Sequence, residues 1–296
     1  MSDLAAVALI GLGNMGLPIG GRWIAEGRTV TGFDLSDAAR EAFAAEGGAV
    51  ADDVVGAVAG ADVIVLLLPD SRVVDAVLSS LLDSGAIADG AILVDMSSSE
   101  PEHTRRNAVA AAGRGIRFVD SPVSGGVRGA AEGRLTVMVG GDESTVTEIE
   151  PLLGALGTVV RVGEVGAGHA AKALNNLLSA IHFWATSEAV TAGERFGIDP
   201  GVLLRVINGS SGRSGSSEAK WPKFVLPETY DSGFSARLML KDARIATTLM
   251  SGLGLPSGLG DELVGEWEVA VAELPPTADH TEIARWIRER EGARAS

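Results

Sequence analysis

A lysine and an asparagine sit four residues apart in an otherwise small and apolar stretch, Ala170-Ala171-Lys172-Ala173-Leu174-Asn175-Asn176-Leu177-Leu178. In a helix, residues i and i+4 share a face. Partial burial lowers the proton affinity of a lysine, which suits a group that must take up and give back a proton. Spacing alone favours a plainer reading, a solvated lysine beside a helix-facing asparagine.

A second candidate lies at the start of the chain. Gly11-Leu12-Gly13-Asn14-Met15-Gly16 fits G-x-G-x-x-G. The first glycine allows a tight turn, the second lets backbone approach a pyrophosphate, and the third lets helix and strand pack closely. The following helix N-terminus offers N–H groups and a positive partial charge. With 39 glycines in 296 residues the pattern also arises by chance, and a glycine-rich turn with a surface Asp is the alternative. Position favours the binding reading. The motif follows the first apolar run, and Asp34 ends the second, where a carboxylate would accept hydrogen bonds from an adenosine ribose. Leu35 and Ser36 follow it and the nearest cation is Arg40, so NAD is expected before NADP.

A third candidate, Ser121-Pro122-Val123-Ser124-Gly125-Gly126, follows a run ending at Asp120. Its small residues leave backbone N–H groups uncovered, and Ser124 adds a hydroxyl. Such a turn can hold a carboxylate; it can equally be a structural loop. His103, His169, His182 and His280 show no ligand spacing and read as structural or solvated. No metal site is expected.

These residues need elements to hold them. Ala5–Ile10, Arg28–Phe33, Asp62–Leu68, Ala91–Val94, Phe118-Val119 and Leu135–Val139 read as buried strands. Helices fit between several of them: Leu17–Glu26, Ser36–Glu46 with Ser36 as N-cap, and Pro101–Arg114 with Ser97, Ser98, Ser99 and Glu100 as capping candidates. Strand alternating with helix implies a parallel sheet covered on both faces. From Gly168 to Phe196 there is no proline and only one internal glycine, Gly193, which suits a long helix. Helices are expected again at Pro200–Ile207, Ser235–Met250, Gly258–Glu273 and Thr281–Glu291. The expected layout is a dinucleotide-binding α/β domain over residues 1–163 and an all-helical domain over 164–296, linked by the long helix.

Composition bounds the partners. The hydrophobic fraction of 46% supports a sizeable core, and a net charge of -15 makes nucleic acid and anionic membrane poor partners. The absence of cysteine excludes disulfides, thiolate metal sites and a cysteine nucleophile. Met1-Ser2-Asp3-Leu4 lacks a basic leader, and no apolar run approaches the length of a membrane span, so a cytoplasmic protein is expected.

Taken together, the segments resemble the β-hydroxyacid dehydrogenase family, which includes 3-hydroxyisobutyrate dehydrogenase and tartronate semialdehyde reductase. The resemblance covers nearly the whole chain. Gly11–Gly16 resembles the cofactor turn, and Asp120–Gly126, with Gly129-Ala130 and Gly133–Gly141, the substrate motif. Gly166–Asn176 resembles the catalytic-lysine motif, and Lys241-Asp242 the late Lys-Asp motif. The resemblance implies a Rossmann-type doubly wound sheet followed by an all-α domain. It also implies NAD-dependent (or NADP-dependent) interconversion of a small β-hydroxy acid and its semialdehyde. Lys172 would be general base in oxidation and general acid in reduction, and Asn176 would hold the substrate hydroxyl or the lysine. Ser124, Gly125 and Gly126 would bind the carboxylate. Leu68 and Pro69 would flank the nicotinamide ribose, Ser98 would lie near the nicotinamide, and Lys241 would close over the cofactor.

Leu17–Trp23, Arg134 and Ala243 depart from the family's usual residues, and Gly215 stands where Trp is common. These departures bear on the substrate more than on the reaction. Arg213 is either a partner for a second anionic group or a salt-bridging surface arginine. The competing functions are an imine reductase, whose lysine is usually replaced, and a non-catalytic dinucleotide-binding reader. A homodimer or homotetramer is expected, burying apolar residues such as Leu177, Leu178, Ile181, Phe183 and Trp184.

Overall fold

The computed structural model describes residues 6–294, with side chains through Arg290. The leader expectation at Met1–Leu4 and the first residue of the first expected strand, Ala5, fall outside the described residues. The chain divides into two compact units, Met1–Lys172 and Ala173–Ser296. That division falls inside the long helix, where the sequence reading sets it ahead of the helix.

In the first unit the strands are β1 (Ala6–Ile10), β2 (Thr29–Phe33), β3 (Ala49–Val50), β4 (Val63–Leu66), β5 (Ile92–Asp95), β6 (Arg117–Asp120), β7 (Val123–Ser124), β8 (Leu135–Gly140) and β9 (Gly157–Gly163). The helices between them are α1 (Gly16–Ala25), α2 (Asp37–Ala45), α3 (Val54–Val58), α4 (Ser71–Ser84), α5 (Pro101–Ala112), α6 (Gly126–Glu132) and α7 (Glu143–Gly154). The sheet order is β3-β2-β1-β4-β5-β6-β8-β7, with β9 paired to β8. The strands from β3 to β6 run parallel. Val63–Leu66 and Ile92–Asp95 are buried throughout, as a sheet covered on both faces requires. A parallel doubly wound sheet puts loops and helix starts at the carboxyl ends of its strands, where ligands bind.

The sheet departs from the expected parallel series at its far side. β8 runs antiparallel to β6 and β7, and β9 runs parallel to β8. A parallel return needs a crossover of a dozen or more residues, usually built on a helix that spans the sheet. α6 has only seven residues. The chain instead doubles back through β7, which places Ser124 opposite Thr136. In this unit α3, α4, α6, α7, β3, β7 and β9 lie outside the elements expected from sequence. Ser36 caps α2, accepting from the Ala39 N–H as expected. Glu100, by contrast, precedes α5 without a side-chain cap hydrogen bond; Ser97 and Ser99 are engaged elsewhere.

The second unit is helical. α8 (Ala167–Phe196) begins in the first unit and continues into it, followed by α9 (Pro200–Asn208), a π-helical segment Ser216–Val225, α10 (Ala236–Gly252), α11 (Gly258–Glu273) and α12 (Glu282–Arg294). The π segment contains Pro222, which has no N–H to give a regular α ladder. Its core gathers Phe183, Trp184, Trp221, Trp267 and Trp286. Leu177, Phe183 and Trp184, expected to need a partner subunit, are covered within this unit, whereas Leu178 is 54% exposed. The expectation failed there because the helices after α8 cover those faces themselves. No described helix is long and apolar enough to cross a membrane.

Candidate active site

The glycine turn after β1 is built by steric necessity. Gly11 has φ +104°, and a Cβ there would overlap the Leu67 carbonyl; a Cβ on Gly16 would overlap the Gly11 carbonyl. The turn, the start of α1 and the end of β4 are therefore pressed together. Gly13 differs: a Cβ there meets nothing within 4 Å, and the residue is exposed. Protein packing does not demand a glycine at this position, but a ligand approaching the backbone would. α1 begins with no side-chain cap and no acidic residue in its first turn. By contrast, α2, α4 and α7 are capped by Ser36, Asp70 and Asp142. Such a start can accept an external anion.

Asp34 is docked on the same turn. Its Oδ2 accepts from the Leu12 N–H at 2.8 Å and its Oδ1 from the Ser36 N–H at 2.9 Å. Each carboxylate oxygen has a second lone pair, so hydroxyl donors of a ribose can still be received. Arg40 donates to the Asp34 carbonyl oxygen, pairs with Asp37, and lies 5.9 Å from the Phe33 ring centroid. These residues fit a dinucleotide: an uncapped helix start for its phosphates, open space at Gly13, and a carboxylate for its ribose.

The next strand ends continue the line. Leu68 and Pro69 follow β4, and the Leu68 N–H donates to Ser97 Oγ at 2.9 Å. Asp95, fully buried at the end of β5, holds the loop after it: Oδ1 accepts from the Ser97 N–H at 2.9 Å and Oδ2 from the Ser99 hydroxyl at 2.8 Å. Ser98 lies between them, half-buried.

Asp120, fully buried at the end of β6, fixes the start of α8. Its Oδ1 accepts from the Gly166 N–H at 2.7 Å and its Oδ2 from the His169 N–H at 2.8 Å. A Cβ on Gly168 would come within 2.5 Å of the Met138 carbonyl oxygen and 2.8 Å of Asp120 Oδ2. The glycine thus lets the helix start close on the sheet. Burial pushes the Asp120 carboxyl above its ordinary value, opposed by His169 and the two backbone N–H groups. Lys172 follows one turn later and is half-buried. His169 is not solvated; it is 1% exposed and hydrogen-bonded through both ring nitrogens.

The third candidate turn lies beside this edge. Ser124 is held in β7 against β8. Gly125 has φ +133° and a Cβ there would press on Leu135, whereas Gly126 opens onto space. Both glycines are exposed.

In the second unit, Asn176 is buried and its Nδ2 donates to Asp242 Oδ2 at 2.6 Å. Lys241 Nζ stands 3.1 Å from Asp242 Oδ1. Asp242 therefore brings together two residues expected to work in catalysis and cofactor closure. Its carboxylate fixes the Asn176 amide with nitrogen towards Asp242, leaving the oxygen to accept; one donor to it is Asn175 Nδ2 at 3.3 Å. Arg213 pairs with Glu218 at 3.3 Å, both exposed, which is the surface salt-bridge alternative. Among the described residues no group of three or more His, Asp and Glu side chains is placed to hold a metal ion.

Sequence reasoning gave no site role to Asp95, nor to Asp120 and Asp242 within their motifs, and weighed His169 beside the lysine motif before reading it as structural or solvated. Asp95 and Asp120 each end an apolar run, where a charged residue in a covered sheet needs a local purpose; that was their signal.

Comparison with known proteins agrees with this architecture. Residues 6–166 match the family model described as the NAD binding domain of 6-phosphogluconate dehydrogenase. Residues 166–287 match the family model described as NAD-binding of NADP-dependent 3-hydroxyisobutyrate dehydrogenase. The chain is 38% identical over 250 residues to 2-(hydroxymethyl)glutarate dehydrogenase of Eubacterium barkeri, covering 83% of this chain and 82% of that one. It is 37% identical over 250 residues to an NAD-dependent L-serine dehydrogenase of Pseudomonas aeruginosa, covering 81% and 83%. The solved structure of Mycobacterium tuberculosis 3-hydroxyisobutyrate dehydrogenase with L-serine superposes with a TM-score of 0.90 at 32% identity, covering 96% of this chain and 99% of that one.

Proposed function

The chain belongs to the β-hydroxyacid dehydrogenase family, and from that premise we propose that Lys172 carries the alcohol proton in the oxidation of a 3-hydroxyisobutyrate-like β-hydroxy acid to its semialdehyde. The protein is an NAD(P)-dependent oxidoreductase acting on the CH–OH group of a small hydroxy acid. The bound dinucleotide supplies the hydride acceptor; the chain supplies position and the path for the proton.

Ser124, Gly125 and Gly126 receive the substrate carboxylate, which sets the carbinol carbon. Lys172 takes the hydroxyl proton in oxidation and returns it in reduction, so oxidation needs its amine unprotonated. Asn176 presents its side-chain oxygen, and that oxygen accepts from the substrate hydroxyl or from Lys172. Gly11 to Gly16 would hold the pyrophosphate, and Asp34 the ribose. Asp34 would repel a 2′-phosphate, and Arg40 is committed to Asp34 and Asp37, so NAD is preferred over NADP. Leu68, Pro69 and Ser98 would line the nicotinamide end, and Lys241 would close over the cofactor. The dinucleotide-binding domain is residues 1–163, and the helical domain 164–296.

The observation that carries this reading is the continuous line of contacts along the carboxyl edge of the sheet. It runs from Gly11 against Leu67, through Leu68 on Ser97 and Ser97 on His169, to the turn of α8 that bears Lys172. Retention of Lys172 argues against the imine-reductase reading, and the pairing of Asn176 with Asp242 against a non-catalytic reader. A homo-oligomer is part of the proposal, supported by exposed Leu174, Leu178, Leu253, Leu255 and Leu259; a monomeric mass in solution would contradict it.

The decisive experiment is Lys172→Ala, assayed at 340 nm with NAD and NADP against a panel of β-hydroxy acids. Turnover should fall by about 10²–10⁴-fold, the usual worth of a positioned proton-transfer group, while NAD binding persists. Turnover at the parent rate would remove Lys172 from the mechanism.

A further inference from the structure

Two buried carboxylates, Asp95 and Asp120, and one buried imidazole, His169, stand behind the turn of α8 that carries Lys172, and no step of the reaction touches them. The ring of His169 spans two loops. Its Nε2 lies 2.9 Å from the Ser97 carbonyl oxygen, and a carbonyl can only accept, so Nε2 carries a hydrogen. Its Nδ1 lies 2.7 Å from Thr104 Oγ1, on the first turn of α5. The Thr104 hydroxyl is also 3.1 Å from the Glu100 carbonyl oxygen. With one hydrogen on that hydroxyl, two arrangements use the same heavy-atom positions. In one, Thr104 donates to a bare Nδ1. In the other, a protonated Nδ1 donates to Thr104, which turns its hydrogen to Glu100. Asp95 Oδ2 is 3.9 Å from Nε2 and Asp120 Oδ2 3.7 Å from Nδ1. The ring thus keeps its partners whichever way the cluster shares its protons.

We propose that His169 is a positioning residue for the reaction: it ties the first turn of α8 to the Ser97–Ser99 loop, so that Lys172 and the loop bearing Ser98 hold a fixed relation. The assignment rests on the roles given above to Lys172 and Ser98. Its physical basis is short and local. His169 and Lys172 are i and i+3 on one helix, so a shift of the helix turn anchored by His169 carries Lys172 with it. The His169 N–H is held by Asp120 and its side chain by Ser97, which makes this residue the junction between the β6 end and the β5 loop. Asp95 completes the junction from the other side through Ser97 N–H and Ser99 Oγ. An apolar residue at 169 would leave the Thr104 hydroxyl and the Ser97 carbonyl without this partner.

The test compares His169→Ala, His169→Gln, Thr104→Val and Lys172→Ala in the full chain. The readouts are kcat, KM for the hydroxy acid, the dissociation constant of NAD from tryptophan fluorescence, and Tm. His169→Ala should lower kcat by about 10–100-fold, the cost of misplacing a catalytic group by about an ångström. The dissociation constant of NAD should change little. His169→Gln, whose amide can donate to the Ser97 carbonyl and accept from Thr104, should recover most of kcat. A part that is only structural would lower Tm while kcat stays at the parent value, and that pattern overturns the proposal. If His169→Ala does not fold, Thr104→Val and His169→Gln decide. Thr104→Val should lose kcat selectively while His169→Gln stays near the parent, and parent kcat in Thr104→Val overturns the proposal. Parent turnover in Lys172→Ala would sink the functional reading and this inference with it. An inactive Lys172→Ala beside a fully active His169→Ala would sink this inference alone.

Discussion

Two helices begin at the carboxyl edge of the sheet and treat their first backbone N–H groups in opposite ways. α1 starts after the glycine turn with no side-chain cap, no acidic residue in its first turn and open space at Gly13. α8 starts with its N–H groups at Gly166 and His169 held by the buried carboxylate of Asp120. The positive end of a helix attracts an anion in either case. At α1 the anion must come from outside the chain, and at α8 the chain provides it. An open start binds and releases a ligand; a closed start holds a side chain still. The lysine sits on the closed one.

The comparison breaks most directly by closing the open start. Gly13→Asp places a carboxylate where a Cβ meets no protein atom within 4 Å, at a glycine that is not left-handed. Folding should be nearly undisturbed, with Tm within a few degrees of the parent. NAD affinity should fall by about 100-fold or more, because like charges a few ångströms apart near a protein surface repel by a few kcal/mol. Titration with NAD by tryptophan fluorescence checks this. Unchanged affinity would mean that the phosphates do not bind at α1. Gly13→Ala is the control and should lose far less.

Opening the closed start has the opposite signature. Asp120→Ala leaves two buried N–H groups without their acceptor. That costs about 3 kcal/mol, and a fall in Tm of roughly 10 °C for a unit of this size. NAD affinity should change little, since α1 is untouched. A Tm equal to the parent's would show that the α8 start is held by packing alone.

Asp120 also makes a pH prediction. Burial raises its folded value above the ordinary 3.8. Between those two values the folded chain keeps a proton that the unfolded chain has lost. Stability therefore falls as pH rises through that window and is level beyond it. Asp120→Asn does not titrate. The stability of the parent relative to Asp120→Asn should decline from about pH 4 upwards and then flatten, as urea unfolding over a pH series would measure. A difference that rises with pH would mean that the hydrogen bonds outweigh burial.

The same contrast explains what could be read in the sequence. The open start is local. Gly11, Gly13 and Gly16 lie within six residues, and their spacing carries a reason for each: close packing at Gly11 and Gly16, and room for a ligand at Gly13. Asp34 falls at the end of the next apolar run. α8 announces itself by thirty residues with no proline. Lys172 and Asn176 show their common face once a helix is assumed, and the order of motifs then identifies the family. The closed start is not local. Asp120 and Gly166 are separated by 46 residues, and Thr104 and His169 by 65. Nothing in either segment names its partner. His169 beside a lysine motif reads as structural or solvated, and only the β5 loop and α5 closing over it decide between the two. The reversal at β8 was hidden for a related reason, since strand direction depends on what the short α6 can span. The covering of Phe183 and Trp184 depends on helices met only later in the chain.

The smallest effect tests whether the uncapped start of α1 is a special case. Asp70 caps α4, accepting from the Arg72 N–H at 2.9 Å and the Val73 N–H at 3.1 Å. Removing such a cap costs about 1 kcal/mol, or roughly 2–4 °C in Tm for a unit of this size. Asp70→Ala should show that loss and leave NAD affinity and kcat at parent values, because the Asp70 carboxylate is spent on the first turn of its own helix. The loss would arise because water replaces the carboxylate only partly at an N-terminus built to be capped. α1 has no such side chain to lose. Saturating NAD should then raise Tm in both the parent and Asp70→Ala by the same amount, since the ligand fills a start that the mutation does not touch. A smaller rise in Asp70→Ala would mean that α4 contributes to the dinucleotide site, and the division between open and closed helix starts would have to be drawn elsewhere.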